Sequence, residues 1–407
     1  MTAKQLTAIS FFLSFAPAGC KSVDIKGESQ IREEKHQNDD SDVGADASHL
    51  KRFLYVANDS TAKVDVFDIN DNHKLVRSFK ADLDTGNDGM RYRGITAHAG
   101  TARLYLSDSD TGKVGAYDLK TDQLVWVKTY DECTFPDRIN VNKAGTALFI
   151  PCKKDPNQHI VVDASTGEFR QKYAMDRYPH NTFTGEQGKY MYLSGYRNPD
   201  LLVVDQESHE LVRKVTGFKN SEGEGVRPFS VDKEERFAFA TENDQLGFGV
   251  GDIKAGKQIF YVKQETPSER TQHDDAECER PHGGEPPSHG LAVRPGAREV
   301  WFIDDAWGYL YVYDTTPLYQ NPPKIPVHKA NVELFEAIDK KWTKTRWRWV
   351  AMSLEGDYVY PASGIVVDGE TKKRLPYKIT PSEKLIEIQF SGNTPVRVSG
   401  QNGGAYE

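Results

Sequence analysis

The residues best suited to chemistry in this sequence are arginines, histidines and one aspartate at the start of successive apolar segments. They are Arg93, Asp137, His180, Arg227, His289 and Arg348. Arginine binds carboxylates, phosphates and sulfates through paired hydrogen bonds, and histidine exchanges protons near neutral pH. The set therefore predicts a locally basic site for an anionic ligand. The alternative is that these groups pair with one another and with backbone carbonyls as structural filling.

Aromatic and charged residues flank this set and extend the predicted ligand-binding site. They are Tyr178, Tyr196, Arg197, Trp307 and Trp349. Mixed aromatic and charged groups are typical of sugar and peptide sites. His180, His289 and Tyr178 are also the candidate catalytic residues. With a neighbouring arginine they could supply a base, an acid and charge neutralisation for β-elimination from a uronate.

A second cluster of possible ligands lies between Lys263 and Ser288. It contains His273 and His282, several carboxylates and Cys278, and it leads directly into His289. Histidine, cysteine and carboxylate side chains bind zinc or calcium, and a bound metal could activate water for lactone or ester hydrolysis. The spacing matches no established metal motif, so a solvated acidic loop is the alternative interpretation.

A repeated unit must position these residues. Strand-like segments that end in aspartate recur about 40 to 60 residues apart. These aspartates are Asp68, Asp118, Asp163, Asp205, Asp252, Asp314 and Asp368. Seven units of several short strands predict an all-β fold, a seven-bladed β-propeller over residues 50–407. The first unit lacks a strand and the C-terminus has spare ones, so a C-terminal strand is predicted to pair with the first blade. Asn331 to Lys341 is predicted as a short helix.

Two motifs resemble a known family. Tyr55-Val56-Ala57-Asn58 is similar to the Tyr-Val-Thr-Asn signature of YVTN-type β-propellers, and Ser288 to Pro295 resembles the start of that family's repeat. The likeness implies a seven-bladed propeller. The chain is more distantly similar to the propellers of quinoprotein amine dehydrogenase heavy chains and lactonases. No activity follows from this, because propellers carry many unrelated functions.

The N-terminus predicts export. An apolar run from Ile9 to Ala16 precedes Ala18-Gly19-Cys20, which resembles the end of a bacterial lipobox with Cys20 as the lipidated residue. Residues 1–20 are then a signal peptide and residues 21–49 a disordered tether to the membrane, with ordinary secretion as the alternative. The predicted location is extracytoplasmic: periplasmic, membrane-tethered or secreted.

Export permits disulfides, and Cys133 and Cys152 fall at the same end of one predicted hairpin, which predicts a bridge between them. The formal net charge of −8 makes nucleic acid an unlikely partner. We expect a monomer. Two functions remain open: a binding module for an anionic small molecule, glycan or protein, and a uronate lyase or lactonase-like hydrolase acting at the same site.

Overall fold

The structure is a computed structural model. It describes residues 50–81, 83, 91–154, 156–175, 178–196, 198–218, 225–242, 245–265, 288–304, 308–334, 349–401 and 404–406. All of these belong to one compact unit, residues 46–407. Within these ranges no helix is long and apolar enough to cross a membrane. The predicted signal peptide, with Cys20, and the whole of the predicted tether lie outside the described residues.

The described residues form seven antiparallel sheets. The first three blades along the chain contain β1 (Lys51–Asn58), β2 (Lys63–Asp68) and β3 (Lys74–Lys80); β4 (Tyr92–His98), β5 (Arg103–Asp108), β6 (Lys113–Asp118) and β7 (Leu124–Lys128); β8 (Asn140–Val141), β9 (Ala147–Cys152), β10 (Gln158–Asp163) and β11 (Phe169–Ala174). The fourth and fifth contain β12 (Pro179–Thr184), β13 (Tyr190–Gly195), β14 (Asn198–Asp205) and β15 (Leu211–Val215); β16 (Val226–Val231), β17 (Phe237–Glu242), β18 (Gly247–Asp252) and β19 (Lys257–Lys263).

The remaining strands complete blades six and seven and return to blade one. They are β20 (Leu291–Val293), β21 (Glu299–Asp304), β22 (Tyr309–Asp314) and β23 (Val327–Glu333); β24 (Val350–Met352), β25 (Tyr358–Pro361), β26 (Ile365–Asp368) and β27 (Arg374–Lys378); β28 (Leu385–Ser391), β29 (Thr394–Ser399) and β30 (Ala405–Tyr406). A 3₁₀ helix spans Thr316–Tyr319. Asn331 lies in β23, so the predicted helix is wrong where it begins; residues 335–341 are outside the described ranges.

The ring closes through the C-terminus. β28 pairs antiparallel with β1, with Tyr55 opposite Ile386. β28 is the inner strand of blade one, because it lies between the inner strands β24 of blade seven and β4 of blade two. This pairing confirms the predicted closure. It joins the first and last parts of the propeller in one sheet, so β1 is not left as a free sheet edge. β29 and β30 then continue the same sheet beyond β28, on the side of the central channel.

The recurring aspartate has a local structural cause. At Asp163, Oδ1 accepts hydrogen bonds from the backbone N–H groups of Ser165 at 2.8 Å and Thr166 at 3.0 Å. At least one such bond forms at the other six aspartates of the repeat as well. A carboxylate that satisfies the next backbone N–H groups stabilises a tight turn. Each repeat therefore ends its third strand at a turn that sends the chain back as the fourth.

The core lies between adjacent blades. Consecutive side chains of the two middle strands are buried, so both faces of the sheet are covered, as with Val64 to Phe67 of β2 and Leu201 to Val204 of β14. Trp301, Tyr192 and Tyr311 are among the largest fully buried side chains. The outer strands are exposed in comparison, with burial patterns such as that of Lys74–Lys80. The rigid, buried part of each blade is thus its inner half, and the inner strands begin at the channel mouth.

Candidate functional site

Four residues of the predicted set meet at the start of the inner strands. His180 Nε2 lies 3.8 Å from Asp137 Oδ2, Arg227 Nη1 donates to His289 Nε2 at 3.2 Å, and the two imidazole rings are 6.4 Å apart between centroids. Each of the four is at most 5% exposed. We call this group, together with Lys153 and Arg93, the channel-mouth cluster. Arg348, Arg197 and Trp307 lie outside the described residues.

Asp137 is placed by the backbone and by a disulfide. Its N–H donates to Pro151 O at 2.8 Å, and its carbonyl accepts a hydrogen bond from Ser107 Oγ at 2.7 Å. Cys133 and Cys152 form a disulfide whose ends are 19 residues apart in sequence. This bridge fastens the segment that carries Asp137 to the end of β9. Lys153 follows Cys152 directly, so one covalent bond positions both charged groups.

The aromatic residues hold cations in place. Arg227 Cζ lies 3.5 Å from the centroid of the Tyr196 ring, and Lys153 Nζ lies 5.6 Å from the same ring. Tyr178 makes an edge contact with Tyr196, at 6.0 Å between centroids, and is 38% exposed. The sequence predicted these rings as part of the ligand-binding site. The structure shows Tyr196 as a platform for a guanidinium, an attraction that fixes the position of the charge.

Arg138 is a central residue that the sequence reasoning missed. It is 2% exposed and stacks on Trp349, with Cζ 3.2 Å from the ring centroid. Its Nη2 donates to Glu383 Oε2 at 2.7 Å, and its Nη1 lies 3.4 Å from the side-chain oxygen of Gln401. Trp349 Nε1 donates to Gln401 O at 3.2 Å. Gln401, just after β29, therefore links blade three to the start of blade seven across the channel.

The cluster has a cationic excess that controls its protonation. Burial, together with Lys153, Arg227 and Arg138, lowers the pKa of His180 well below its ordinary value. Burial and Arg227 likewise lower the pKa of His289. Both histidines are therefore neutral at pH 7. Burial lowers the pKa of Lys153 to about 8, although Asp137 acts in the opposite direction.

Asp137 is the least satisfied polar group of the cluster. It is 1% exposed, and neither carboxylate oxygen has a hydrogen-bond partner among the described residues. Its nearest ionisable neighbours are the Lys153 ammonium, with Nζ at 3.9 Å, and the neutral His180 ring, with Nε2 at 3.8 Å, and both lie beyond hydrogen-bond range. A buried carboxylate without hydrogen bonds is costly and is a common sign of a binding or catalytic site.

No metal centre is visible in the described part of the chain, where no group of three or more histidine, cysteine, aspartate or glutamate side chains is arranged to hold an ion. His273 and His282 lie outside the described residues. His289 accepts a hydrogen bond from Arg227 through Nε2, and a nearby guanidinium disfavours a metal cation. Zinc or calcium therefore stays a sequence prediction.

A separate open cavity of about 440 Å³ lies on the opposite face of the propeller, between blades six and seven. Its charged side chains are already paired. Arg294 Nη2 lies 2.6 Å from Glu370 Oε2, and Lys329 Nζ lies 2.5 Å from Glu299 Oε1. The charged groups that line this cavity are thus satisfied by ion pairs with one another. The channel mouth, where polar atoms lack partners, is the better candidate site.

No family model matches the sequence, and no curated protein matches it. The YVTN resemblance is therefore not confirmed. Solved structures do share the fold. Hydrazine synthase of Kuenenia stuttgartiensis is 13% identical with a TM-score of 0.57, covering 81% of this chain and 93% of that one. Dihydro-heme d1 dehydrogenase NirN, in complex with DHE, is 11% identical with a TM-score of 0.55, covering 87% of this chain and 74% of that one. These likenesses support the propeller fold alone.

Proposed function

We propose that this propeller is a binding module whose channel-mouth cluster holds an anionic ligand, most simply through a carboxylate. The observation that carries the proposal is the concentration of cations, of which Arg138 and Arg227 are buried, around one unsatisfied carboxylate. Arg227, Lys153, Arg138 and Arg93 face Asp137 and Glu383, so the cluster has more positive than negative groups. The chain as a whole is acidic, with a formal net charge of −8, so this local excess is specific to the mouth.

The geometry suits recognition without large rearrangement. Tyr196 and the β-propeller backbone hold Arg227 rigid, and a fixed guanidinium loses little side-chain entropy when it binds an oxyanion. The site is enclosed, so charge-assisted hydrogen bonds made there are stronger than at an exposed surface. One fold neighbour, NirN, is described as a complex with DHE. That supports a bound small molecule as a use of this architecture.

Export is part of the proposal. The disulfide between Cys133 and Cys152 supports an oxidising, extracytoplasmic location. Lipidation at Cys20 would keep a monomer near a membrane, with the channel mouth free to meet an anionic small molecule, glycan or protein. Fractionation of cells that express the full chain, with Cys20→Ser as the comparison, tests this part. Release of the variant from the membrane is expected, and equal membrane association of both proteins would contradict it.

Calorimetric titration of the full-length protein with oligogalacturonate, phosphate and sulfate at low ionic strength tests the binding function. Arg227→Gln should weaken binding by about tenfold or more, because a charge-assisted hydrogen bond contributes about 1.5–3 kcal/mol. Arg298→Gln is the matched control, since Arg298 is a partly exposed arginine on the opposite face, paired with Glu234. Equal effects of the two variants, or no binding of any of the three anions, would overturn the proposal.

A lyase or hydrolase is the second candidate, favoured by the neutral state of His180. An unprotonated imidazole beside cations that neutralise a carboxylate is what proton abstraction next to that carboxylate requires. Incubation with polyuronate and with a lactone, followed by ultraviolet detection of unsaturated product and by acid release, tests it. An enzyme should lose its rate by orders of magnitude in His180→Ala. A binding module shows no turnover with either compound.

A further inference from the structure

Two hydrogen-bond acceptors face each other inside the channel mouth. His180 Nδ1 is hydrogen-bonded to Asn181 Oδ1, and a carbonyl oxygen can only accept, so Nδ1 carries the ring proton. The neutral ring then presents a lone pair at Nε2, which points toward Asp137 Oδ2 at 3.8 Å. Neither group can donate to the other. Only a third group that brings its own proton can bridge them by hydrogen bonds.

The opposite requirement exists at His289. Arg227 can only donate, so His289 Nε2 is the acceptor of their hydrogen bond and Nδ1 carries the proton. His289 is 5% exposed, and Nδ1 has no hydrogen-bond partner among the described residues. This N–H and the side chains of Arg227 and Lys153 are hydrogen-bond donors, and together they would bind an anionic acceptor. The same enclosed site thus requires a donor at one histidine and an anion at the other.

The charges around the channel mouth decide which kind of ligand group can act as the hydrogen-bond donor. An ammonium group would be attracted by Asp137 but repelled by Lys153, Arg227 and Arg138, all of which act on the same cluster. A hydroxyl group is uncharged, donates one proton and accepts from a neighbouring cation. A hydroxyl next to a carboxylate therefore satisfies both requirements.

We infer that the ligand of the channel mouth is a hydroxycarboxylate, such as a sugar acid. Its hydroxyl donates its one proton in a three-centre hydrogen bond shared by Asp137 Oδ2 and His180 Nε2, while its carboxylate accepts from His289, Arg227 and Lys153. This inference rests on the proposed binding function and adds Asp137 as the residue that determines specificity. It also accounts for a carboxylate kept buried at the centre of a basic site, where it would otherwise weaken the binding of any anion.

Matched ligand pairs test the inference on the full-length wild-type protein. D-glucuronate is compared with cyclohexanecarboxylate, and lactate with propionate, by calorimetry or by ligand-observed NMR. The hydroxylated member of each pair should bind at least about tenfold more tightly, since a site that hydrogen-bonds a hydroxyl discriminates strongly against an analogue that lacks it. Asp137→Asn should reduce this ratio toward one while carboxylate binding persists. Arg227→Gln should weaken both members of a pair.

Asp71→Asn, an exposed aspartate in a turn of blade one, is the control substitution. Circular dichroism checks that each variant is folded, and the wild-type pairs decide the question even where a variant is not. Equal wild-type affinity for both members of each pair would overturn the hydroxycarboxylate inference and leave the binding function standing. Failure of the wild type to bind any of the four acids would overturn the carboxylate-binding function itself.

Discussion

Arg138 and Trp349 lie face to face at the centre of the propeller, with the guanidinium carbon 3.2 Å from the centroid of the indole ring. Arg138 belongs to blade three, and Trp349 precedes the inner strand of blade seven. Gln401 joins them, because its backbone oxygen accepts from Trp349 and its side-chain oxygen faces Arg138. The C-terminal segment thus connects blades three and seven across the channel, next to the basic cluster.

The buried pair of Arg138 and Glu383 should contribute measurably to stability. Glu383→Gln leaves a fully buried guanidinium without its counter-charge, and the expected loss is about 3 kcal/mol in the free energy of unfolding. Arg138→Met combined with Glu383→Gln should lose less than Glu383→Gln alone, because the double variant buries no unpaired charge. Chemical denaturation of the wild type, Glu383→Gln and the double variant measures the free energy of unfolding of each.

An exposed pair provides the control for that cycle. Arg397 and Glu355 lie 2.6 Å apart, close to the 2.7 Å of Arg138 and Glu383, but their side chains are 30% and 50% exposed. Arg397→Gln and Glu355→Gln should each change stability by no more than about 1 kcal/mol. If Glu383→Gln costs no more than these surface substitutions, the buried pair does not stabilise the channel.

Removal of residues 384–407 should unfold the entire domain. β28 supplies the inner strand of blade one and pairs with β1 along six residues from Lys51 to Val56, so its loss opens the ring and exposes both sheet edges. A shorter truncation that removes residues 400–407 keeps β28 and should still melt cooperatively at a lower temperature. Calorimetry distinguishes the two. A protein lacking residues 384–407 that melts like the full chain would show that closure is not required.

The fold could be predicted from the sequence because its signals are local. Each aspartate turn is determined by residues two or three positions away, as at Asp163, and short strand-like segments are visible within each repeat. The continuation of blade one into β29 and β30 was not predictable, because a strand pattern does not state which edge it pairs with. β29 pairs with the edge of β28 that lies toward the channel, and that edge exists only once β28 has paired with β1 and closed the ring.

The site could be predicted in part for the same reason. Asp137, His180, Arg227 and His289 occupy equivalent starts of inner strands, so a correct alignment of blades brings them together. The pairing of Arg138 with Glu383 joins residues 245 positions apart, and no spacing rule in the sequence connects them. The role of Tyr196 was also inaccessible, because an aromatic residue near an arginine can bind a ligand or the arginine itself, and only the distance decides.

The disulfide should stabilise both the fold and the site. Cys133→Ser with Cys152→Ser opens a loop of 19 residues, and the expected cost is about 3 kcal/mol. Since the bridge fastens Asp137 beside Lys153, affinity for an anionic ligand should also decrease in the double variant. Cys278→Ser controls for a cysteine-to-serine substitution that leaves this disulfide intact. Unchanged affinity in a folded double variant would show that the backbone bonds of Asp137 are sufficient to position it.

Lys153 should make anion binding depend on pH in the mildly alkaline range. Burial lowers its pKa to about 8, so the side chain is charged below that pH and loses its charge as the pH rises through it. Affinity for an anionic ligand should therefore be highest below about pH 8 and decrease above it, by at most tenfold per pH unit for one proton.

Lys153→Met should bind more weakly at neutral pH and show a flat profile over the same range. Lys154→Met is the matched control, because Lys154 is the adjacent lysine and lies 4.6 Å from the ring of Phe135, and it should retain the wild-type profile. An affinity that stays constant through this range in the wild type would mean that Lys153 does not contact the bound anion, and the ligand would then be held by Arg227 and His289 alone.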